Sequence, residues 1–208
     1  MNIEINERLK PFLPADEKIF LVKTFPASLP AEPPDMLVFE NVHGDKIVEF
    51  LSEFIDAGKS VKRVAACNCE AMPVLREWLK GNGYIIYGED LWEAEQGIFS
   101  NATAAVKEEA ATVAEAESAH KGLAAEAYIY GTEELYNEFP LLLRVNNNQA
   151  LPGFIYVSLS KIEQTINEIN AITTDENKLP SELKAKKREA LLKKQQLSIM
   201  ANNMYPID

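Results

Sequence analysis

Short apolar runs alternate with polar stretches at the start of the chain. Residues 18–24 and 36–42 are rich in aliphatic and aromatic side chains, and each run predicts a buried β-strand. Between them, residues 25–34 contain four prolines, which excludes a helix or a central strand there. The amphipathic residues 6–13 predict a short helix that ends at Pro14. The pattern therefore predicts a short helix followed by two strands on either side of a proline-rich link.

An amphipathic helix is predicted next, over residues 46–57. Its apolar side chains recur every three or four residues and give it one broad apolar face. Asp45 can cap its amino end, and Gly58 can end it in a left-handed turn. This helix should pack against the strand that precedes it.

Residues 61–97 have the pattern of a strand, a helix and a second strand. The helix is expected to end at Gly81 and Gly83, and residues 84–91 are again extended. Residues 98–105 predict one more strand. This alternation predicts an α/β protein with helices and sheet in three layers and largely parallel pairing. One apolar face of the helix is predicted to hold Val74, Leu75, Trp78 and Leu79.

The second half of the chain has a helical pattern. Residues 106–127 are rich in alanine and glutamate, with high helix propensity and little apolar bulk. Residues 132–144 can begin a further helix at Thr132 and break at Pro140. A polar turn at residues 173–179 then separates two longer helical stretches.

The two C-terminal stretches predict an antiparallel helical hairpin. The first repeats apolar residues at coiled-coil spacing, and the second, at residues 181–200, follows Pro180. We therefore divide the chain into an α/β domain at 1–105, an Ala/Glu-rich helical connection at 106–150 and a coiled-coil hairpin at 151–208. The apolar seam of the first helix consists of Ile155, Leu159, Ile162, Ile166 and Ile169.

Composition places the chain among globular proteins. It has 208 residues, of which 47% are hydrophobic, and no apolar run approaches the roughly 20 residues that span a bilayer. The amino terminus is charged where a signal peptide is apolar, so we expect a cytoplasmic protein without membrane contact. Cys67 and Cys69 are too few for a disulfide framework, and buried reduced thiols are the expected state.

The net charge of −11 is unevenly distributed. Residues 151–208 carry seven acidic and eight basic side chains, whereas the rest of the chain is strongly acidic. The bases of the last helix indicate either an anionic partner or a solvated face that complements the acidic body. The residues that would contact an anionic partner are Lys184, Lys186, Lys187, Arg188, Lys193 and Lys194.

A candidate ligand site lies where the second strand meets the helix. Ligands of open α/β sheets bind outside the carboxyl ends of the strands. Glu40, Asn41, His43 and Gly44 place a carboxylate, an amide, an imidazole and a glycine there. The alternative is a turn whose polar groups cap the next helix. The usual glycine-rich nucleotide loops, zinc motifs and serine-nucleophile motifs are missing from the sequence.

Three pieces in order resemble a known family. LREWLKGNGYIIYGEDLWEAEQGIF at residues 75–99, TEELYNEFPLLLR at residues 132–144 and the helical pair at residues 155–200 are similar to segments of bacterial S-adenosylmethionine (SAM)-dependent tRNA (adenine-N1) methyltransferases, which carry a C-terminal coiled-coil hairpin. The resemblance implies a reduced Rossmann-like, class I methyltransferase-like sheet. It also implies SAM as cofactor and tRNA as partner.

The chain departs from this family where the family binds SAM. Residues 20–30 align with its cofactor motif, but Leu21 and Phe25 stand in place of its aspartates and Lys23 in place of a glycine. Only one glycine, Gly44, remains of the family's GMGG turn, and its QPN motif is replaced by residues 67–69. The next strands of the family, which hold a ribose-binding acid, have no counterpart here.

Three functional hypotheses follow. The first is a degenerate, methyltransferase-like protein that binds RNA or protein without methyl transfer and needs no cofactor. The second is an active SAM-dependent enzyme with an altered pocket, in which SAM contacts Glu40, Asn41, His43 and Gly44. The third is an interaction module that forms homodimers through the C-terminal hairpin. In the first and second hypotheses, tRNA would bind through the basic C-terminal helix.

Overall fold

The computed structural model describes residues 5–129, 148–173 and 175–204. The predicted helix at residues 132–144 lies outside these residues. Side chains are described throughout, except at residues 122–129 and at a few positions near the C-terminal turn and the C-terminus.

Within the described residues, five strands form one mixed sheet in the order β1-β2-β3-β5-β4. β1, β2 and β3 are parallel, whereas β5 runs antiparallel to both β3 and β4. The expected Rossmann-like α/β architecture is confirmed. The expected parallel pairing holds for β1, β2 and β3, whereas β5 lies between β3 and β4 and pairs antiparallel with both. The strands are β1 (Ile19–Val22), β2 (Met36–Glu40), β3 (Arg63–Cys67), β4 (Tyr84–Glu95) and β5 (Ile98–Lys107).

Two helices cover one face of the sheet, α1 (Gly44–Asp56) and α2 (Met72–Gly81). Their apolar sides enclose the largest core cluster, in which Phe39, Phe54 and Leu75 have no exposed surface. The N-cap of α1 is His43 rather than the predicted Asp45. Each helix begins close to the carboxyl end of a strand, α1 after β2 and α2 after β3.

The predicted apolar face of α2 needs one correction. Val74 is exposed, whereas Arg76 is buried and pairs with Glu89 of β4. The charged face of this helix therefore contributes to the core, since Arg76 has a carboxylate partner there.

The N-terminal segment packs on the other face of the sheet. Leu9 is completely buried against Met36, Val38 and small residues of β3 and β5. The Tyr87 hydroxyl donates to the Phe12 carbonyl at 2.7 Å, which ties the segment to β4. Only Lys10–Phe12 is helical, as a single 3-10 turn. The predicted helix at residues 6–13 is therefore wrong.

α3 (Val113–Ile129) begins later than predicted, because residues 106–107 extend β5. The Ser118 hydroxyl donates to the Tyr87 carbonyl at 2.7 Å, and Glu115 pairs with Arg63. α3 is thereby held against β3 and β4 by polar contacts rather than by apolar bulk.

The C-terminal helices α4 (Leu151–Ile172) and α5 (Ser181–Met204) form the predicted antiparallel hairpin. Lys194 of α5 lies 2.8 Å from Glu163 of α4, and Leu197 packs with Leu151 and Ile155, so positions rise along one helix as they fall along the other.

The hairpin docks on the β4–β5 pair. Leu91 and Phe99 share an apolar cluster with Leu151 and Ile155. A Cβ atom at Gly153 would lie 3.0 Å from the Phe99 ring, so glycine permits the close approach. No helix in the described ranges is long and apolar enough to cross a membrane.

Candidate functional site

The carboxyl ends of β2 and β3 carry two interlocked loops. Asn41, Asn68 and Ala71 all have positive φ angles, between 51° and 57°, which non-glycine residues adopt rarely. The Gly44 N–H donates to the Glu70 carbonyl at 2.8 Å, and a Cβ atom at Gly44 would clash with the Ala71 carbonyl oxygen. The two loops are therefore fixed against each other by direct backbone contact.

Glu40 ends β2 with its carboxylate buried and fully engaged. Glu40 is only 4% exposed. One oxygen accepts from the Asn6 backbone N–H at 2.6 Å, and the other lies 3.0 Å from the Lys23 ammonium, directly after β1. A salt bridge and the N-terminal segment therefore occupy the space between the carboxyl ends of β1 and β2.

The other three candidate residues have structural contacts. Asn41 donates its backbone N–H to the Cys67 carbonyl, and Gly44 lies in the loop contact. The His43 side chain accepts from the Asp45 N–H at 3.4 Å and so caps α1. The structure brings the four residues to one edge of the sheet, in the turn-and-cap arrangement that was the alternative interpretation.

An open cleft lies beside these residues, between the loop after β3 and the hairpin. Its volume is about 560 Å³. Loop, sheet and hairpin each supply part of its wall, and the residues are Cys69, Glu70, Ala71, Met72, Pro73, Arg76, Leu91, Phe99, Asn101, Phe154, Ser158, Lys161, Ile162 and Lys193.

The cleft combines aromatic and cationic side chains. Phe99 and Phe154 form an edge-to-face pair with their centroids 5.6 Å apart. Lys161 and Lys193 extend from the two hairpin helices, and Glu70 is the acidic residue of the wall. Beneath them, Arg76 pairs with the buried Glu89 at 3.1 Å and so holds α2 to β4. Such a cleft suits a flat ring that carries negative charge nearby.

The cysteines at this edge are poor nucleophiles. Burial raises the pKa of Cys67 to about 12 and also raises the pKa of Cys69. Both thiols are free, as expected from the sequence. No group of three metal-ligating side chains occurs in the part of the chain that the structure describes. The site can therefore bind and orient a ligand more readily than attack it.

The six basic candidates of α5 do not form one surface. Lys184, Lys187 and Arg188 line a groove of about 380 Å³ at the turn end of the hairpin, together with Asn177 and Leu179. Lys193 faces the cleft and also contacts Glu189 at 3.2 Å.

The other two basic residues differ from these. Lys194 is bound to Glu163, and Lys186 is exposed. The structure thus divides the predicted patch between two places on the hairpin.

Sequence reasoning missed the cleft itself. Its wall includes Phe99 of β5 and Phe154 and Lys161 of α4. The periodicity of neither element predicts that β5 and α4 pack together. One signal for the cleft does exist in the sequence, because the charged Arg76 lies next to the predicted apolar positions of α2.

Comparison with solved structures supports the fold. The B. subtilis tRNA methyltransferase TrmK matches with a TM-score of 0.59 and 19% identity, over 81% of this chain and 63% of that one. An uncharacterized protein from Listeria monocytogenes serotype 4b matches with a TM-score of 0.57 and 19% identity, over 80% and 63%. The chain thus spans less than two thirds of either structure. No protein-family model matches, and a search of curated proteins found no similar sequence.

Proposed function

We propose that this chain is an RNA-binding protein that keeps a methyltransferase-like fold without methyl transfer, with tRNA as its RNA. The observation that carries the proposal is the Lys23–Glu40 pair at the carboxyl ends of β1 and β2. TrmK of B. subtilis is a tRNA methyltransferase by name, and the assignment of tRNA to this chain extends that likeness.

The residues at this edge do not fit SAM. SAM carries a sulfonium cation and needs carboxylates to hold its polar groups, but the Glu40 carboxylate is already satisfied by Lys23 and the Asn6 backbone. Lys23 also places a second cation where SAM would bring its own. Displacing either partner would leave the buried Glu40 carboxylate with only one of its two contacts. A loss of cofactor binding accounts for this arrangement.

The cleft fits a base of single-stranded RNA. Sequence-specific RNA recognition commonly uses unstacked bases that pack on aromatic side chains, with basic groups at the phosphates. Phe99 and Phe154 offer the apolar wall, and Lys161 and Lys193 lie at its hairpin side. The groove lined by Lys184, Lys187 and Arg188 adds a second cationic contact on the same hairpin.

Two titrations test the proposal on the full chain. Calorimetry with SAM should show no saturable heat at millimolar concentration. Unmodified tRNA transcripts should bind with an affinity that falls steeply as salt rises, since counterions are released from the phosphates. Micromolar SAM binding, or methyl transfer to the transcript, would establish the active-enzyme hypothesis instead. Absence of salt-dependent tRNA binding would contradict the RNA assignment.

A further inference from the structure

The floor of the cleft includes a row of side chains on one face of β5. Phe99 and Asn101 both line the cleft, and Thr103 follows them on the same face, because alternate residues of a strand point to the same side. Leu91 lies opposite Asn101 in the antiparallel β4–β5 ladder and lines the cleft as well. Thr103 is buried beneath Arg76. Asn101 is therefore the polar group between the aromatic wall of the cleft and the buried interior.

The Asn101 side chain holds an acceptor without a donor. Its Oδ1 atom is buried and accepts no hydrogen bond from the residues that the structure describes. Its Nδ2 atom lies 3.5 Å from the Cys69 carbonyl oxygen, at the outer limit of a hydrogen bond. The Asn68 N–H donates to the Asn101 backbone carbonyl at 2.9 Å, so the strand is fixed at this position. A buried acceptor in this state costs stability, which a donor on a ligand would offset.

The Phe99–Phe154 pair determines where a base would lie relative to this acceptor. Residues two apart in a strand are separated by roughly 6.5 Å, so a ring that packs on Phe99 directs one edge toward Asn101. Glu70, on the loop after β3, adds a carboxylate to the same cleft. Acceptors therefore lie on the side of the loop and the sheet, whereas Lys161 and Lys193 lie on the side of the hairpin.

We infer that Asn101 reads the base in the cleft by accepting a hydrogen bond from an exocyclic amino group of that base. This base reading rests on the proposed RNA binding, whose ligand it specifies. Cytosine carries an amino group at position 4, whereas uracil carries a carbonyl there. A carbonyl would bring a third acceptor to Asn101 and Glu70 and leave Oδ1 without a donor. The cleft should therefore select amino-bearing bases over uracil.

Short oligonucleotides test this selection on the full chain. Oligocytidylate and oligouridylate of equal length carry the same phosphates and differ at position 4 of each base. We expect oligocytidylate to bind about tenfold more tightly, with the same salt dependence for both. Asn101→Leu keeps the approximate shape of the side chain and removes the acceptor, so the ratio of the two affinities should fall to about one. Differences between the free strands cancel when the ratios of the two proteins are compared.

The tRNA transcript provides a second measurement. Asn101→Leu should bind the transcript about tenfold more weakly, with an unchanged slope of log affinity against log salt, because no phosphate contact is lost. Asn167→Leu is the matched control. It makes the same substitution at an exposed position of α4 outside the cleft, and it should change neither the affinity nor the ratio.

Thermal unfolding separates base reading from a structural role of Asn101. Asn101→Leu should keep or raise the unfolding midpoint, because it removes a buried acceptor that has no donor in the free protein. A fall of several degrees would show that Asn101 stabilises the strand itself, and would overturn the base reading.

Failure of the base reading differs from failure of the proposed function. If the unsubstituted protein does not bind the tRNA transcript, the RNA assignment fails and the base reading fails with it. If the transcript binds but Asn101→Leu leaves its affinity unchanged, only the base reading is overturned. The same holds if the preference for oligocytidylate is absent or survives the substitution.

Discussion

Lys23 and Glu40 connect the ends of two parallel strands, with 3.0 Å between the ammonium and the carboxylate. Glu40 is 4% exposed, so its charge depends on Lys23 and on the Asn6 backbone N–H for compensation. A carboxylate at the end of a strand is the usual sign of a ligand contact in this class of fold. Here the same residue stabilises the protein itself.

Replacing Lys23 should therefore cost stability. We expect Lys23→Met to lower the free energy of unfolding by about 1–3 kcal/mol, because it leaves a buried carboxylate with one hydrogen bond. Lys18→Met breaks the exposed contact with Glu32 and should leave the free energy of unfolding nearly unchanged. Urea denaturation measures both. Equal effects would show that the Lys23–Glu40 pair has no special role.

Arg76 should be the more sensitive residue of the cleft. Both Arg76 and Glu89 are almost completely buried, and Arg76→Met should cost about 3–5 kcal/mol by leaving Glu89 without its cation. The double variant with Glu89→Gln should recover part of that loss. A double-mutant cycle by urea denaturation separates the pair energy from the packing. Additive losses would contradict a direct interaction.

The sequence predicted the strands of the sheet better than it predicted which strands pair with each other. Periodicity reports which side chains are buried, whereas strand order is decided by pairing between distant residues, so β5 was found but not its place beside β3. A signal did exist. Residues 102–106 are continuously small or apolar, without alternation, which is typical of a strand buried on both faces.

Gly44 should not tolerate a side chain. Gly44→Ala places a Cβ against the Ala71 carbonyl, which belongs to the backbone and cannot rotate away, so we expect a loss of about 1–3 kcal/mol. Gly81→Ala is the matched control, because nothing lies within 4 Å of the new atom there. It should be neutral or stabilising by up to about 1 kcal/mol. Thermal unfolding compares them, and an inert Gly44→Ala would contradict the loop contact.

The cleft lysines should contribute to the salt dependence of RNA binding. Lys161→Gln with Lys193→Gln should reduce the slope of log affinity against log salt by about 1.4, if each contacts one phosphate of a single strand. Lys46→Gln with Lys121→Gln removes the same charge from α1 and α3 and serves as control. Filter binding at several salt concentrations gives both slopes. Identical slopes for the two double variants would place the RNA elsewhere.

Acid should weaken the anchor of α3. Burial alone would raise the pKa of Glu115, but hydrogen bonds from Arg63 and Thr112 outweigh it and hold that pKa below its ordinary value of 4.5. The contribution of Glu115 is therefore complete above about pH 4.5 and is lost as pH falls through the lowered pKa.

The matched variants for this effect are Glu115→Gln and Glu117→Gln. At neutral pH, Glu115→Gln should cost about 1–3 kcal/mol, and the cost should shrink toward pH 3. Glu117→Gln, on the exposed side of the same helix, should cost little at either pH. A pH-independent difference for Glu115 would contradict the assigned pKa.

The sequence predicted where the four candidate residues lie but not which groups they contact. Glu40, Asn41, His43 and Gly44 do lie together at the carboxyl edge, as the strand-to-helix pattern indicated. Their contacts with Asn6, Lys23 and Glu70 come from segments that local patterns cannot connect. The basic residues of α5 were likewise found by charge, whereas their division between two surfaces depends on how the hairpin docks.

The position of β5 also sets an order of assembly. β4 leaves the ribosome first, yet every backbone pair that joins it to the rest of the sheet is made through β5. Among the strands that the structure describes, β4 therefore has no partner on either side until β5 has been synthesised. Its apolar residues at 84–87 are the part of β4 that an unfinished chain leaves exposed until β5 pairs with it.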